Sequence, residues 1–127
     1  MAQSYTGPIF SGQPDWARVP IARLESFHWE KESPYRPASF AQLCAVRGEG
    51  IFVRMWSFES PIRAVAAKRD DPVYQDSCLE CFLNPFPAQQ NSYINFEMNP
   101  NGVFLTEFGS EREAVSYTHL RAHETLM

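Results

Sequence analysis

The sequence predicts an all-β fold, an antiparallel β-sandwich of jelly-roll type that is incomplete on its C-terminal side. Three observations carry this expectation: apolar and polar residues alternate over several short runs, turn dipeptides punctuate those runs, and ten prolines in 127 residues leave little room for long helices. Ten Phe, five Tyr and three Trp supply the bulk of a core. With 44% hydrophobic and 20% charged residues, the chain has the balance of a folded protein of one domain at most.

Residues 1–37 are rich in Pro, Gly and Ser, with Trp16, Phe27, Trp29 and Tyr35 irregularly spaced. They read as extended chain with a single strand around residues 21–28. From Ala38 the apolar-rich run ASFAQLCAVRG reaches the turn Gly48-Glu49-Gly50. IFVRMWSF then alternates, with Ile51, Val53 and Met55 on one face and Phe52, Arg54, Trp56 and Phe58 on the other. The two runs predict a β-hairpin, with Trp56 packed among its neighbours. Residues 60–77, charged and bounded by prolines, read as a long loop with one helical turn near residues 63–68. Residues 78–83 form the next strand, stopped by Asn84-Pro85. YINFEM follows and stops at Asn99-Pro100, and Asn101-Gly102 turns the chain back into VFLTEF. A sandwich of so few strands is expected to expose sheet edges and part of its core.

A formal charge of −4 gives no basic face for nucleic acid, and no Lys/Arg run suits an anionic membrane. No apolar stretch approaches the length of a membrane span. The first residues lack the basic-then-apolar pattern of a signal peptide, and the cysteine count of three is odd. A reducing, cytoplasmic compartment is the expectation, reversed to extracellular if an export signal precedes these residues.

The tail VSYTHLRAHETLM, residues 115–127, differs in character from the rest. His119 and His123 stand four apart with Glu124 adjacent, which on a helix is a metal-ligand pattern. Residues 115–125, however, reverse-translate into a string that resembles one frame of a transposase-adapter oligonucleotide used in DNA library preparation. The tail is therefore expected to be foreign to the natural chain, with an extended segment at 1–15 and a partial sandwich at 16–114. Without the tail, His28 is the one histidine left. It sits between Phe27 and Trp29 and reads as a packing or surface residue.

The stretch DSCLECFLNP holds the chemistry. In a strand Cys78 and Cys81 point to opposite faces, whereas a metal or redox pair needs both sulfurs on one side, and no second CxxC or CxxH exists. Both are expected to be structural thiols. Glu80 shares a face with Cys78 and Phe82. It is either a surface carboxylate paired with Arg63, Lys68 or Arg69, or it is held in a concave face where it needs donors such as sugar hydroxyls. Glu80 and Glu97 also have the composition of a glycosidase pair, a pattern that any β protein with acids on adjacent strands offers.

The run PIRAVAAKRDDPVYQDSCLECFLNP followed by YINFEMNPNG resembles the family 9 carbohydrate-binding modules, closest to the bacterial carbohydrate-binding family 9-like proteins. The likeness covers roughly residues 16–113 and is densest at residues 71–82 and 93–97. It implies a β-sandwich without catalytic activity that accompanies glycoside hydrolases in carbohydrate catabolism. Such a module holds the end of a glucan or xylan chain, or a small sugar, between aromatic rings with polar side chains on the hydroxyls. By position it implies Tyr74 as the aromatic platform and Glu80 as the acceptor of sugar hydroxyls. Asn95 follows as an amide partner with Tyr93 beside it. Tyr stands where sugar-binding relatives often carry Trp, which implies weaker binding, and the family's second aromatic belongs to a later part of the domain. No cofactor is implied; calcium is structural in some relatives, and Asp70, Asp71 and Asp76 are the acids nearest together. Two alternatives remain: an accessory piece of a glycoside hydrolase, and a haem-binding sandwich drawing on Met55, Met98 or His28.

Overall fold

The computed structural model describes residues 3–26, 31–89 and 91–109. Among these the strands are β1 (Ile9–Phe10), β2 (Ala22–Leu24), β3 (Ala38–Val46), β4 (Gly50–Phe58), β5 (Leu79–Leu83), β6 (Tyr93–Met98) and β7 (Phe104–Gly109). They form two sheets, and no α-helix occurs among the described residues, so the fold is the expected all-β sandwich.

The first sheet is built on the predicted hairpin. β3 and β4 pair antiparallel from Ala38 opposite Phe58 to Val46 opposite Gly50. The connecting turn places Gly48 at φ 79°, in the left-handed region that glycine enters without steric cost. Because β4 fills one edge of β3, β1 and β2 share the other. β2 lies antiparallel beside Ser39–Ala41, and β1 lies parallel beside Ala45 and Val46, a pairing at odds with the expected all-antiparallel order. Between these short strands the hydroxyl of Tyr5 accepts a hydrogen bond from Leu43 N (3.2 Å), so a backbone donor between two short pairings is satisfied. The chain reaches this position only through Gly7, whose Cβ would stand 2.2 Å from Leu43 O.

The N-terminal segment differs from its expected form. It contributes two short strands rather than one and a 3-10 turn at Trp16–Arg18. Residues 27–30, with Phe27, His28 and Trp29, lie outside the described residues, as does the tail with His119 and His123. Gln42, buried within an apolar-rich strand, is the pin: its Nε2 donates to Trp16 O (3.1 Å) and Val19 O (2.8 Å). Above it Arg54 lies between two indoles, 5.8 Å from Trp16 and 5.5 Å from Trp56, and Trp56 stacks on Phe40 at 5.4 Å. Trp56 thus packs as expected, half-buried on a sheet face.

The second sheet is the antiparallel meander β5-β6-β7. Asn99 sets the turn between β6 and β7: its Oδ1 accepts from the N–H groups of Asn101 and Val103, both at 3.0 Å. Gly102 follows at φ 80°. This is the tight turn that Asn101-Gly102 predicts.

Ahead of that sheet, residues 60–77 do not form the expected helical turn. The amides of Val65 and Ala66 donate to Asp76 Oδ2 (2.9 and 2.8 Å), and those of Ala67 and Lys68 donate to Asp71 Oδ2 (3.1 and 2.8 Å). Carboxylates have taken the donors that a helix would have bonded to its own carbonyls. The turn forms instead at Val73–Gln75, anchored by the fully buried Val73. Asp76 also accepts from Asn99 Nδ2 (3.1 Å) and pairs with Arg63 (3.4 Å), which ties the loop to the β6–β7 turn.

Burial alone would raise the Asp76 carboxyl, but the donors Asn99, Ala66 and Val65 and the Arg63 charge outweigh it and hold it below the usual range. A depressed folded-state pKa contributes stability above the unfolded value, near 4, and loses it as pH falls through the folded value. Asp76→Ala is expected to lower stability by about 3 kcal/mol, since four partners are orphaned or set free at once. Urea unfolding at pH 7 measures it, and the gap from wild type should narrow as the pH is lowered below about 4.

Candidate functional site

In β6 the buried face is the polar one. Asn95 and Glu97 are both 0% exposed and Tyr93 is buried, while Phe96 and Met98 on the opposite face are each 41% exposed. Strand alternation would ordinarily turn the apolar set inward.

Register extends this face across the sheet. Glu80 stands directly opposite Glu97, Phe82 opposite Asn95, and on the other side Leu105 faces Glu97 and Glu107 faces Asn95. Directly opposed residues of an antiparallel pair place their Cβ atoms about 5 Å apart. Asn95 Nδ2 donates to Glu97 Oε1 at 2.9 Å. Asn95 Oδ1, also buried, accepts no hydrogen bond from the protein. Both carboxylate oxygens of Glu80 are shielded from solvent. Next to this polar patch the rings of Phe82 and Tyr93 meet at 5.6 Å, tilted by 58°. Opposite Tyr93 stands Gly109, where a Cβ would lie 2.9 Å from the phenol oxygen, so the bare glycine leaves room for the ring.

Of the four residues singled out in the sequence, the fold therefore brings Glu80, Tyr93 and Asn95 onto one face. Tyr74 is off the sheet, half-buried in the 3-10 turn before β5, a turn that packs beside β6. The foreseen arginine partners of Glu80 are engaged elsewhere: Arg63 pairs with Asp76, and Arg69 lies over the Phe104 ring at 5.1 Å. Phe82 and Glu97 complete the patch. Sequence reasoning treated Glu97 only as half of an acid pair, although parity with Asn95 and Tyr93 already places it on their face.

The remaining chemistry is structural. Cys78 precedes β5 and is buried, Cys81 lies on the opposite face with Leu79 and Leu83, and Cys44, Cys78 and Cys81 are all free thiols. Burial pushes the Cys81 thiol up. The acids that could gather around calcium do not fit a cation: Asp76 and Asp71 are spent on amide donors, and Asp70 stands by Arg69 at 3.8 Å. Among the described residues no group of three or more His, Cys, Asp or Glu could hold a metal ion. Met55 and Met98 lie in different sheets.

The sequence signature of carbohydrate-binding family 9 matches residues 13–123, a stretch with residues on both sides of Ala114. A crystal structure of a candidate carbohydrate-binding protein from Bacteroides uniformis ATCC 8492 is similar to this chain, with a TM-score of 0.66 and 26% identity. The similarity covers 80% of this chain and 49% of that one, so the chain spans about half the length of its solved relative. No curated protein matches the chain.

The opposed cysteines give a direct check on this geometry. Ellman titration of the unreduced, denatured chain should count three thiols, and EDTA should leave the thermal midpoint unchanged. A count of one thiol, or a midpoint lowered by the chelator, would contradict the opposed placement.

Proposed function

The chain belongs to carbohydrate-binding family 9, and from that premise we propose that the face shared by Glu80, Phe82, Tyr93, Asn95 and Glu97, with Tyr74 at its border, binds a neutral sugar. The family is one of non-catalytic binding modules, and the proposed ligand is the end of a glucan or xylan chain or a small sugar. The module would serve a glycoside hydrolase in carbohydrate breakdown by holding substrate, not by cleaving it.

One observation carries the reading: β6 buries Asn95 and Glu97 while Phe96 and Met98 stay exposed. Burying carboxylate and amide groups costs free energy that hydrogen-bonding partners must offset. A pyranose has the groups to engage such a face. Its hydroxyls donate to carboxylates, and its apolar C–H face stacks on aromatic rings.

The roles divide by exposure. Tyr74 and Phe82 are half-buried and make the first contacts, and Glu80, half-buried with its carboxylate oxygens turned inward, engages the sugar after them. Asn95 and Glu97 lie fully buried beneath and hold the patch in place through their mutual hydrogen bond. Since the Glu80 oxygens are shielded in the free protein, binding exchanges an internal partner for a sugar hydroxyl. That exchange returns only part of a charge-assisted hydrogen bond and keeps the affinity modest.

Calorimetric titration with β-1,4-linked glucose and xylose oligosaccharides tests the assignment. Tyr74→Ala and Glu80→Gln should each weaken binding by about tenfold or more, equivalent to about 1.4 kcal/mol. Asn95→Ala should lower stability as well as affinity. Unchanged affinity in both Tyr74→Ala and Glu80→Gln would move the site elsewhere.

A further inference from the structure

At the end of β4, in the other sheet, a wide-open cavity of about 600 Å³ is lined by Trp56, Ser57, Phe58, Glu59, Ser60 and Ile62. Its volume lies within the range of small-molecule sites. Its apolar rim is unusually open: Phe58 is 68% exposed and Ile62 55%, on either side of a half-buried carboxylate. Phe58 is held in register opposite Ala38, and its ring meets Phe40 edge-on at 6.3 Å. Phe40 in turn stacks on Trp56, so the rim is a fixed aromatic surface and not a loose side chain.

Glu59 is built into the floor. Its Oε1 accepts from Ser77 Oγ at 3.1 Å, and the Tyr35 hydroxyl donates to the same carboxylate. Its Oε2 is buried and accepts no hydrogen bond from the protein. Burial raises the Glu59 carboxyl, against the pull of the Ser77 and Tyr35 hydrogen bonds. Tyr35 is pushed up to about 12, first by burial and then by the neighbouring Glu59 charge.

The lining also selects the class of ligand. Among the described residues no cationic side chain lines the cavity and Glu59 does, so a phosphate or carboxylate is disfavoured. A cationic ligand meets the opposite obstacle, since the Arg54 guanidinium already sits 5.5 Å from the Trp56 ring. What suits an aromatic rim, hydroxyls and a carboxylate floor is a neutral molecule with a flat apolar side and hydroxyl edges.

We propose that the Trp56–Phe58–Glu59 cavity is a second carbohydrate site, independent of the Glu80 face, that takes one or two neutral pyranose units against Phe58. The ligand class rests on the carbohydrate-binding reading; the location does not.

The indole N–H resonance of Trp56, assigned with Trp56→Phe, reports on this cavity. Titrating the whole chain with β-1,4-linked tetrasaccharides of glucose or xylose should shift it in wild type and in Glu80→Gln alike. Phe58→Ala, at an exposed position that leaves the fold intact, should raise the Kd read at Trp56 at least tenfold, and Glu59→Gln should weaken it less. Sugar binding that Glu80→Gln abolishes and that never moves Trp56 would overturn this second site and leave the Glu80 face standing. A shift at Trp56 with no effect of Glu80→Gln on any binding would do the reverse. Tighter binding of choline or inorganic phosphate than of sugar at Trp56 would overturn the ligand class, and absence of binding by every probe would overturn both sites.

Discussion

The carboxylate of Asp76 is the constraint from which the second half of the molecule takes its shape. It gathers two amides of the preceding loop, the side-chain amide of Asn99 and the guanidinium of Arg63 around one buried group. Through Asn99, whose other side-chain atom sets the β6–β7 turn, a single acid couples the loop before β5 to the turn beside it at the same end of the sheet. The loop is irregular because its donors are spent on side chains, and it is ordered for the same reason. Tyr74 and Glu80 flank Asp76 closely enough that their placement follows from it.

With the sheet so held, its faces can be used against the ordinary rule. A β-sandwich that only needed stability would bury Ile94, Phe96 and Met98 and leave Asn95 and Glu97 to water. β6 does the opposite, and the cost of burying those groups is offset in part by their mutual hydrogen bond. The first sheet shows the complementary case: Gln42 is buried too, but both its donor hydrogens go to backbone carbonyls, and its role ends with pinning the N-terminal segment.

Much of this was legible in the residues. The hairpin of β3 and β4, the stop at Asn84-Pro85 and the turn at Asn101-Gly102 rest on local rules, which alternation and turn chemistry read directly. The separation of Cys78 from Cys81 is parity alone. What stayed hidden depends on distant partners. The run 63–68 has helical composition, yet Asp71 and Asp76, later in the chain, claim its amides. β1 consists of two residues and pairs with β3 across a wide sequence gap, with no pattern of its own to announce it. At the site, the face shared by Glu80, Tyr93 and Asn95 was implied by spacing and family likeness. That the β5 face of Glu80 and Phe82 aligns with the β6 face of Asn95 and Glu97 needed the register of β5 against β6, which sequence does not set by itself. The Phe58 cavity escaped notice because its residues look like ordinary strand alternation followed by a loop.

The central claim is that the polar face of the second sheet meets a sugar. The side-chain amide resonance of Asn95, followed by NMR during titration with a β-1,4-linked glucose or xylose oligosaccharide, tests it most directly. The account predicts a saturable shift of that resonance, with the Glu80 and Phe82 backbone amides moving on the same binding curve. Saturable sugar binding that leaves Asn95, Glu80 and Phe82 unmoved would contradict it.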